Sequence, residues 1–157
     1  MKIEVWTFGK ENKSYVDEGV KLFTKRIKHY APFEMKILSV GKKNGKLKPE
    51  DLKKKEAEVV FEKLTTNQTL VTLDEKGKSL SSVGLSKFIA TRQLASDKTL
   101  VFLIGGAYGV DDKVLQKSLK VVSLSALVFP HQIVRLIMVE QIYRAFSILN
   151  HQPYHHL

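Results

Sequence analysis

Hydrophobic and polar positions along the chain switch repeatedly between a period of two and a helical period. Ile3-Glu4-Val5-Trp6-Thr7-Phe8 alternates and predicts a strand that ends at Gly9. Val16, Val20, Phe23, Ile27 and Tyr30 then fall at helical spacing, and Pro32 closes that helix. Phe33 to Val40 reads as a second strand, and a basic loop follows from Lys42 to Lys48. Pro49-Glu50-Asp51 opens a helix with proline and acids in its first turn, where orphan amides and the helix dipole favour them. It runs to about Leu64 with a polar, lysine-rich face.

Thr69 to Leu73 is a third strand, and Lys76-Gly77-Lys78 a turn. Ser81 or Ser82 caps a helix that continues to about Leu94. Thr99 to Ile104 is an unbroken apolar run, the mark of a strand covered on both faces. Gly105-Gly106-Ala107-Tyr108-Gly109 follows, then a short helix capped near Asp111, a fifth strand from Leu119 to Leu124, and a long helix from Gln132 to Leu149. Strand-then-helix repetition with short links predicts one α/β domain over 1–157, built on a mostly parallel sheet flanked by helices. The last helix is apolar around nearly its whole circumference, so it needs cover on more than one side. A partner subunit in a two-fold dimer can supply that cover, and so can the centre of a monomer core. Glu140 and Arg144 lie at i, i+4 in the order that favours a helix ion pair.

Composition narrows the chemistry. The chain has no cysteine, which excludes disulfides, thiolate metal sites and covalent catalysis through a cysteine adduct, such as alkylation at C5 of a pyrimidine. With 26 Lys+Arg against 16 Asp+Glu the net charge is +10, which favours polyanionic partners. The opening residues turn polar too soon for a signal peptide, and Arg135, Glu140 and Arg144 interrupt the most apolar segment. A cytoplasmic protein that does not engage membranes is expected.

The candidate site lies where open α/β sheets bind ligands, beyond the carboxyl ends of the strands. The glycine cluster after Ile104 permits close backbone approach to a ligand, and a plain tight turn explains it as well. Glycines at 105, 106 and 109 do not give the G-x-G-x-x-G dinucleotide spacing, and there is no G-x-x-x-x-G-K-[ST] phosphate loop. Leu124-Ser125-Ala126-Leu127-Val128-Phe129-Pro130-His131 is too apolar for a solvent loop. Either it packs into the core or it wraps an apolar ligand face such as an adenine. The terminal His151-Gln152-Pro153-Tyr154-His155-His156 lacks carboxylate or cysteine neighbours, so no metal site is expected; a base stacked on Tyr154 beside an imidazole is chemically reasonable.

Several segments jointly carry a resemblance: Val71-Thr72-Leu73-Asp74 with Gly77-Lys78; Leu103-Ile104-Gly105-Gly106 with Gly109; Leu124 to Leu127 with Pro130-His131 and Arg135; Glu140 to Ala145; and Pro153-Tyr154-His155. In that order and spacing they resemble the ribosomal RNA large-subunit methyltransferase H family of the SPOUT superfamily, over essentially the whole length. The resemblance implies a C-terminal trefoil knot, a homodimer and S-adenosylmethionine as cofactor. It places the cofactor against Leu73, Gly105, Leu124, Ser125, Ala126, Leu127, Val128 and Phe129, with Val128 where relatives often carry threonine. It implies methylation of N3 of a pseudouridine in 23S rRNA of the assembled ribosome. His155 is then the candidate base, with Tyr154 orienting the target and Arg144 stabilising negative charge. Lys42, Lys43, Lys46, Lys48 and Arg135 are the expected contacts to rRNA. A composite site between subunits is expected. A non-catalytic RNA- or ribosome-binding module on this fold, or a relative acting on tRNA, are the alternatives.

Overall fold

The computed structural model describes residues 1–41 and 47–155. Within them strands and helices alternate: β1 (Lys2–Phe8), α1 (Ser14–Ile27), β2 (Phe33–Leu38), α2 (Pro49–Lys63), β3 (Gln68–Ser79), α3 (Ser82–Leu94), β4 (Thr99–Ile104), α4 (Asp112–Lys117), β5 (Lys120–Ser123) and α5 (His131–Leu149). The strands form one sheet in the order β2-β1-β4-β3-β5, with every neighbouring pair parallel. The expectation of a mostly parallel sheet is met in its strictest form.

Local chemistry explains several boundaries. Ser81 caps α3 by accepting the Gly84 amide at 3.0 Å, and Asp111 caps α4 by accepting the Lys113 amide at 2.9 Å. Lys25 and Arg26 sit in the last turn of α1, where the helix dipole favours cations. Strand β3 departs from the expected layout. It does not stop at Leu73 before a turn but continues to Ser79, with an irregularity between Leu73 and Lys78. Beyond it, Lys78 pairs with Val122 and Ser79 with Ser123. Gly77 makes this possible, because a Cβ there would lie only 2.6 Å from the Val122 carbonyl carbon. The sequence pattern read Gly77 as turn chemistry; its role is close approach of two backbones.

Alternate side chains of the strands feed two cores. Ile3, Val5, Leu100, Phe102, Ile104 and Val71 pack with residues of α1, α3 and α5. Trp6, Phe8, Val101, Leu103 and Leu70 pack with Ala57 and Val60 of α2 and Val114 of α4. Helix α5 lies against both α1 and α3. Met138, Val139, Ile142, Ala145 and Phe146 are buried there, while Ile133, Ile137 and Ile148 stay half-exposed and outside either core. One chain therefore covers only part of the apolar circumference of α5. No helix among the described residues is long and apolar enough to cross a membrane.

Candidate functional site

The carboxyl ends of β3, β4 and β5 open into a cleft of about 640 Å³, within the roughly 300–1,000 Å³ usual for small-ligand sites. Three stretches build it. Leu73, Asp74, Glu75 and Lys76 follow the straight part of β3, the glycine turn Gly105 to Gly109 follows β4, and Leu124 to Phe129 follows β5. All eight residues expected to hold a cofactor line this cleft. Leu124 packs against the core, but the tip of the oily loop does not: Leu127 is 72% exposed and Val128 89% exposed. Serine hydroxyls hold its shape, since Ser125 Oγ accepts the Leu127 amide at 2.9 Å and Ser123 Oγ donates to the Ser125 carbonyl at 3.1 Å. Apolar surface presented beside free backbone suits an aromatic ring with polar edges.

Further lining residues went unmarked in the sequence: Lys53 of α2, Tyr108, Val110, and Asp112 and Leu115 of α4. Asp74 and His131 also face the cleft. The His131 imidazole is held below its ordinary pKa, first by burial and then by the nearby Arg135 guanidinium. Among the described residues, no group of three or more His, Cys, Asp or Glu side chains is placed to hold a metal ion.

The expected catalytic residues gather at a different place. Glu140 Oε1 accepts from Arg144 Nη2 at 2.6 Å, from Arg144 Nε at 3.0 Å and from the Tyr154 hydroxyl at 3.0 Å. The Arg144 guanidinium lies over the Tyr154 ring, 4.7 Å from its centroid, and Tyr143 meets the same ring edge-on. Burial, and then the hydrogen bond to Glu140, raise the Tyr154 pKa. Arg144 Nη1 approaches His155 Nδ1 at 3.5 Å, while His155 Nε2 is buried with no hydrogen-bond partner among the described residues. On the far side, Glu140 Oε2 accepts from Gln141, whose own oxygen accepts from Ser82 Oγ of α3. The ion pair read from the helix spacing is thus the centre of a network that fastens the C-terminal tail to α5.

That network is not part of the cleft within one chain. The cleft touches α5 at His131 and Val134, in its first turn. Arg144 lies ten positions further along the helix, an axial distance of about 15 Å.

Arg135 requires a correction. Expected on the RNA surface, it is 1% exposed. Its guanidinium donates to the carbonyls of Phe8 and Lys10, both at 2.8 Å, to Asn12 Oδ1 at 3.0 Å and to Thr7 Oγ1 at 3.2 Å. It ties α5 to the link between β1 and α1, and has no donor facing solvent to offer a phosphate. Lys48 is exposed at the start of α2. Lys42, Lys43 and Lys46 lie outside the described residues.

An all-parallel sheet with a partly apolar cleft beyond its carboxyl edge defines an α/β protein of the small-ligand-binding class. Comparison with known proteins gives the family. A family model described as predicted SPOUT methyltransferase matches residues 1–155. Ribosomal RNA large subunit methyltransferase H of Cytophaga hutchinsonii is 41% identical over 157 residues, spanning 99% of this chain and 100% of its own length. The protein of the same name in Parabacteroides distasonis is 40% identical over 156 residues, spanning 99% of each. A solved structure of a probable methylase family protein from Haemophilus influenzae Rd KW20 is similar with a TM-score of 0.54 and 10% identity, over 99% of this chain and 70% of that one, a likeness of fold alone. The chain belongs to the SPOUT methyltransferases, in the family of the ribosomal RNA large subunit methyltransferases H. Membership carries with it the C-terminal trefoil knot of that fold.

Proposed function

We propose that this enzyme is a homodimer that methylates large-subunit ribosomal RNA in the cytoplasm, at N3 of a pseudouridine, with S-adenosylmethionine as the methyl donor. The observation that carries the reading is the cleft itself: exposed Leu127 and Val128 beside the Gly105–Gly109 turn, with Asp74 and Asp112 at its rim. Such a lining suits an adenine between apolar side chains and backbone amides, and its carboxylates suit ribose hydroxyls and a positive sulfonium. The donor supplies a methyl group already activated for displacement, so the protein's work is positioning and charge stabilisation.

For the acceptor, the tail offers the chemistry. The N3 proton of an imide must depart, leaving charge spread over the flanking carbonyl oxygens. Arg144 can only donate, so His155 Nδ1 is the acceptor in their contact. Arg144, with His155 Nδ1 against it, stabilises the developing oxyanion, and the N3 proton passes to solvent. This refines the expectation that His155 is the base. Tyr154, fixed by Glu140 and by the Arg144 and Tyr143 contacts, presents a ring for the target base to stack on.

Because the tail sits about 15 Å along α5 from the cleft, a second copy is the source of the tail that serves each cleft. The half-exposed Ile133, Ile137 and Ile148 provide the apolar surface for such a pairing. Exposed Lys48 at the start of α2, the helix that carries the cleft-lining Lys53, gives the RNA backbone a cationic contact.

Transfer of a labelled methyl group to intact ribosomes, separated subunits and tRNA, followed by nucleoside mapping, tests this. Label on a large-subunit pseudouridine of intact ribosomes is the expected result. Label on tRNA, or none in any arm despite cofactor binding, overturns it.

A further inference from the structure

Helix α2 is rich in lysine and glutamate, and its buried residues are Ala57, Val60 and one acid, Glu56. Glu56 is only 9% exposed. Its carboxyl lies directly against the glycine turn, where a Cβ added at Gly106 would sit 2.6 Å from Glu56 Oε2 and 2.7 Å from Cδ. The Gly106 amide faces that carboxyl closely enough to pull its pKa down. The carboxyl does not line the cleft; it reaches the glycine turn that does.

An apolar side chain of the same length would fill this space without the cost of desolvating an acid. What the carboxyl adds is an acceptor beside a backbone amide of the turn. Gly106 also accepts the Gly109 amide at 3.2 Å, so a contact at Gly106 acts on both ends of the turn. We propose that Glu56 is a positioning residue for methyl transfer: it holds the Gly106 amide and thereby sets the backbone of the Gly105–Gly109 turn against which the methyl donor binds. The absence of a side chain at Gly106 has the same origin, since any Cβ would displace the Glu56 carboxyl.

The inference rests on the cleft being the methyl-donor site, and the test separates the two. Calorimetry with S-adenosylhomocysteine, which binds without turnover, is run on the full chain and on Glu56→Ala, Glu56→Met and Glu56→Gln, each checked by thermal melting. Loss of the acceptor facing a buried amide predicts a dissociation constant raised about tenfold in Glu56→Ala and Glu56→Met. Glu56→Gln retains an acceptor oxygen and binds within about threefold of the unaltered protein. In turnover, Glu56→Met raises the KM for S-adenosylmethionine while kcat at saturating donor changes by less than about threefold, a split that general destabilisation does not produce. Should Glu56→Ala fail to fold, Glu56→Met preserves the packing and carries the test. Folded variants that all bind like the unaltered protein, or Glu56→Gln as weak as Glu56→Met, overturn the role of Glu56 alone. Failure of the unaltered protein to bind overturns the proposed cofactor site and this inference with it.

Discussion

Glu4 and Glu56 are both buried acids, and their surroundings push them in opposite directions. Burial raises the Glu4 pKa, but hydrogen bonds from Lys2, Lys36 and Trp6 outweigh it and hold the carboxyl below its ordinary value. Among the described residues Glu56 has no such cations: burial pushes it up to about 7, and the Gly106 amide pulls it down. The two therefore contribute to stability with opposite signs. Glu4 stabilises the fold above its unfolded pKa, and that contribution is lost as pH falls through its lower folded value. Glu56 is protonated in the folded chain while already ionised in the unfolded one between pH 4.5 and about 7, so stability declines as pH rises through that window. A shift of that size corresponds to about 3 kcal/mol. Urea unfolding at pH 5 and pH 8 checks it: Glu56→Gln gains on the unaltered protein at pH 8 by up to about 3 kcal/mol relative to pH 5. An identical difference at both pH values counts against a protonated Glu56. Arg135 is a third buried charge, held by hydrogen-bond acceptors without an ion pair among the described residues. Arg135→Leu leaves Phe8 and Lys10 carbonyls and Asn12 without their donor and costs about 3 kcal/mol of unfolding free energy. A side chain serving only as an RNA contact would leave the denaturation midpoint unchanged.

At the level of elements, strand β5 depends on a backbone approach that tolerates no side chain. Gly77→Ala places a methyl against the Val122 backbone and pushes β5 away from the outer part of β3. Expected are a loss of about 1–3 kcal/mol in stability and faster amide exchange at Lys78 and Ser79; unchanged exchange there would mean the pairing is held by other contacts. Most of the fold was legible beforehand because alternation and helical spacing are local signals: each strand and helix lies where the pattern puts it, apart from shifted ends and the run of β3 through the expected turn at Lys76-Gly77-Lys78. The eight cofactor candidates came from resemblance together with strand ends, and they converge on one cleft. What was not legible depends on tertiary neighbours. Gly77 looks like a turn residue until β5 is beside it. Arg135 looks like a phosphate ligand in a basic chain until four backbone or side-chain oxygens from the end of β1 and the link to α1 surround it. Glu56, amid lysines and glutamates, looks like any solvated position, and no spacing rule marks it as the neighbour of a turn fifty residues away.

For the molecule as a whole, the separation of cleft and tail makes the proposed dimer testable through complementation. His155→Ala retains an intact cleft, and Ala126→Trp, which fills the cleft, retains an intact tail. Each alone is expected to be inactive, and a mixture that exchanges subunits regains about a quarter of the activity per chain by random pairing into half-competent dimers. Mixtures as inert as their components would place the tail and cleft of one site on a single chain. The rigidity of α5 extends this to how output scales. Since its length fixes how far His155 can reach, the proposed arrangement lets a solitary chain take up the donor but not offer it a partner for the acceptor. Dilution through the dimer's dissociation range should then reduce turnover steeply while leaving donor occupancy flat, making the enzyme's working level in a cell a matter of pairing as much as of abundance.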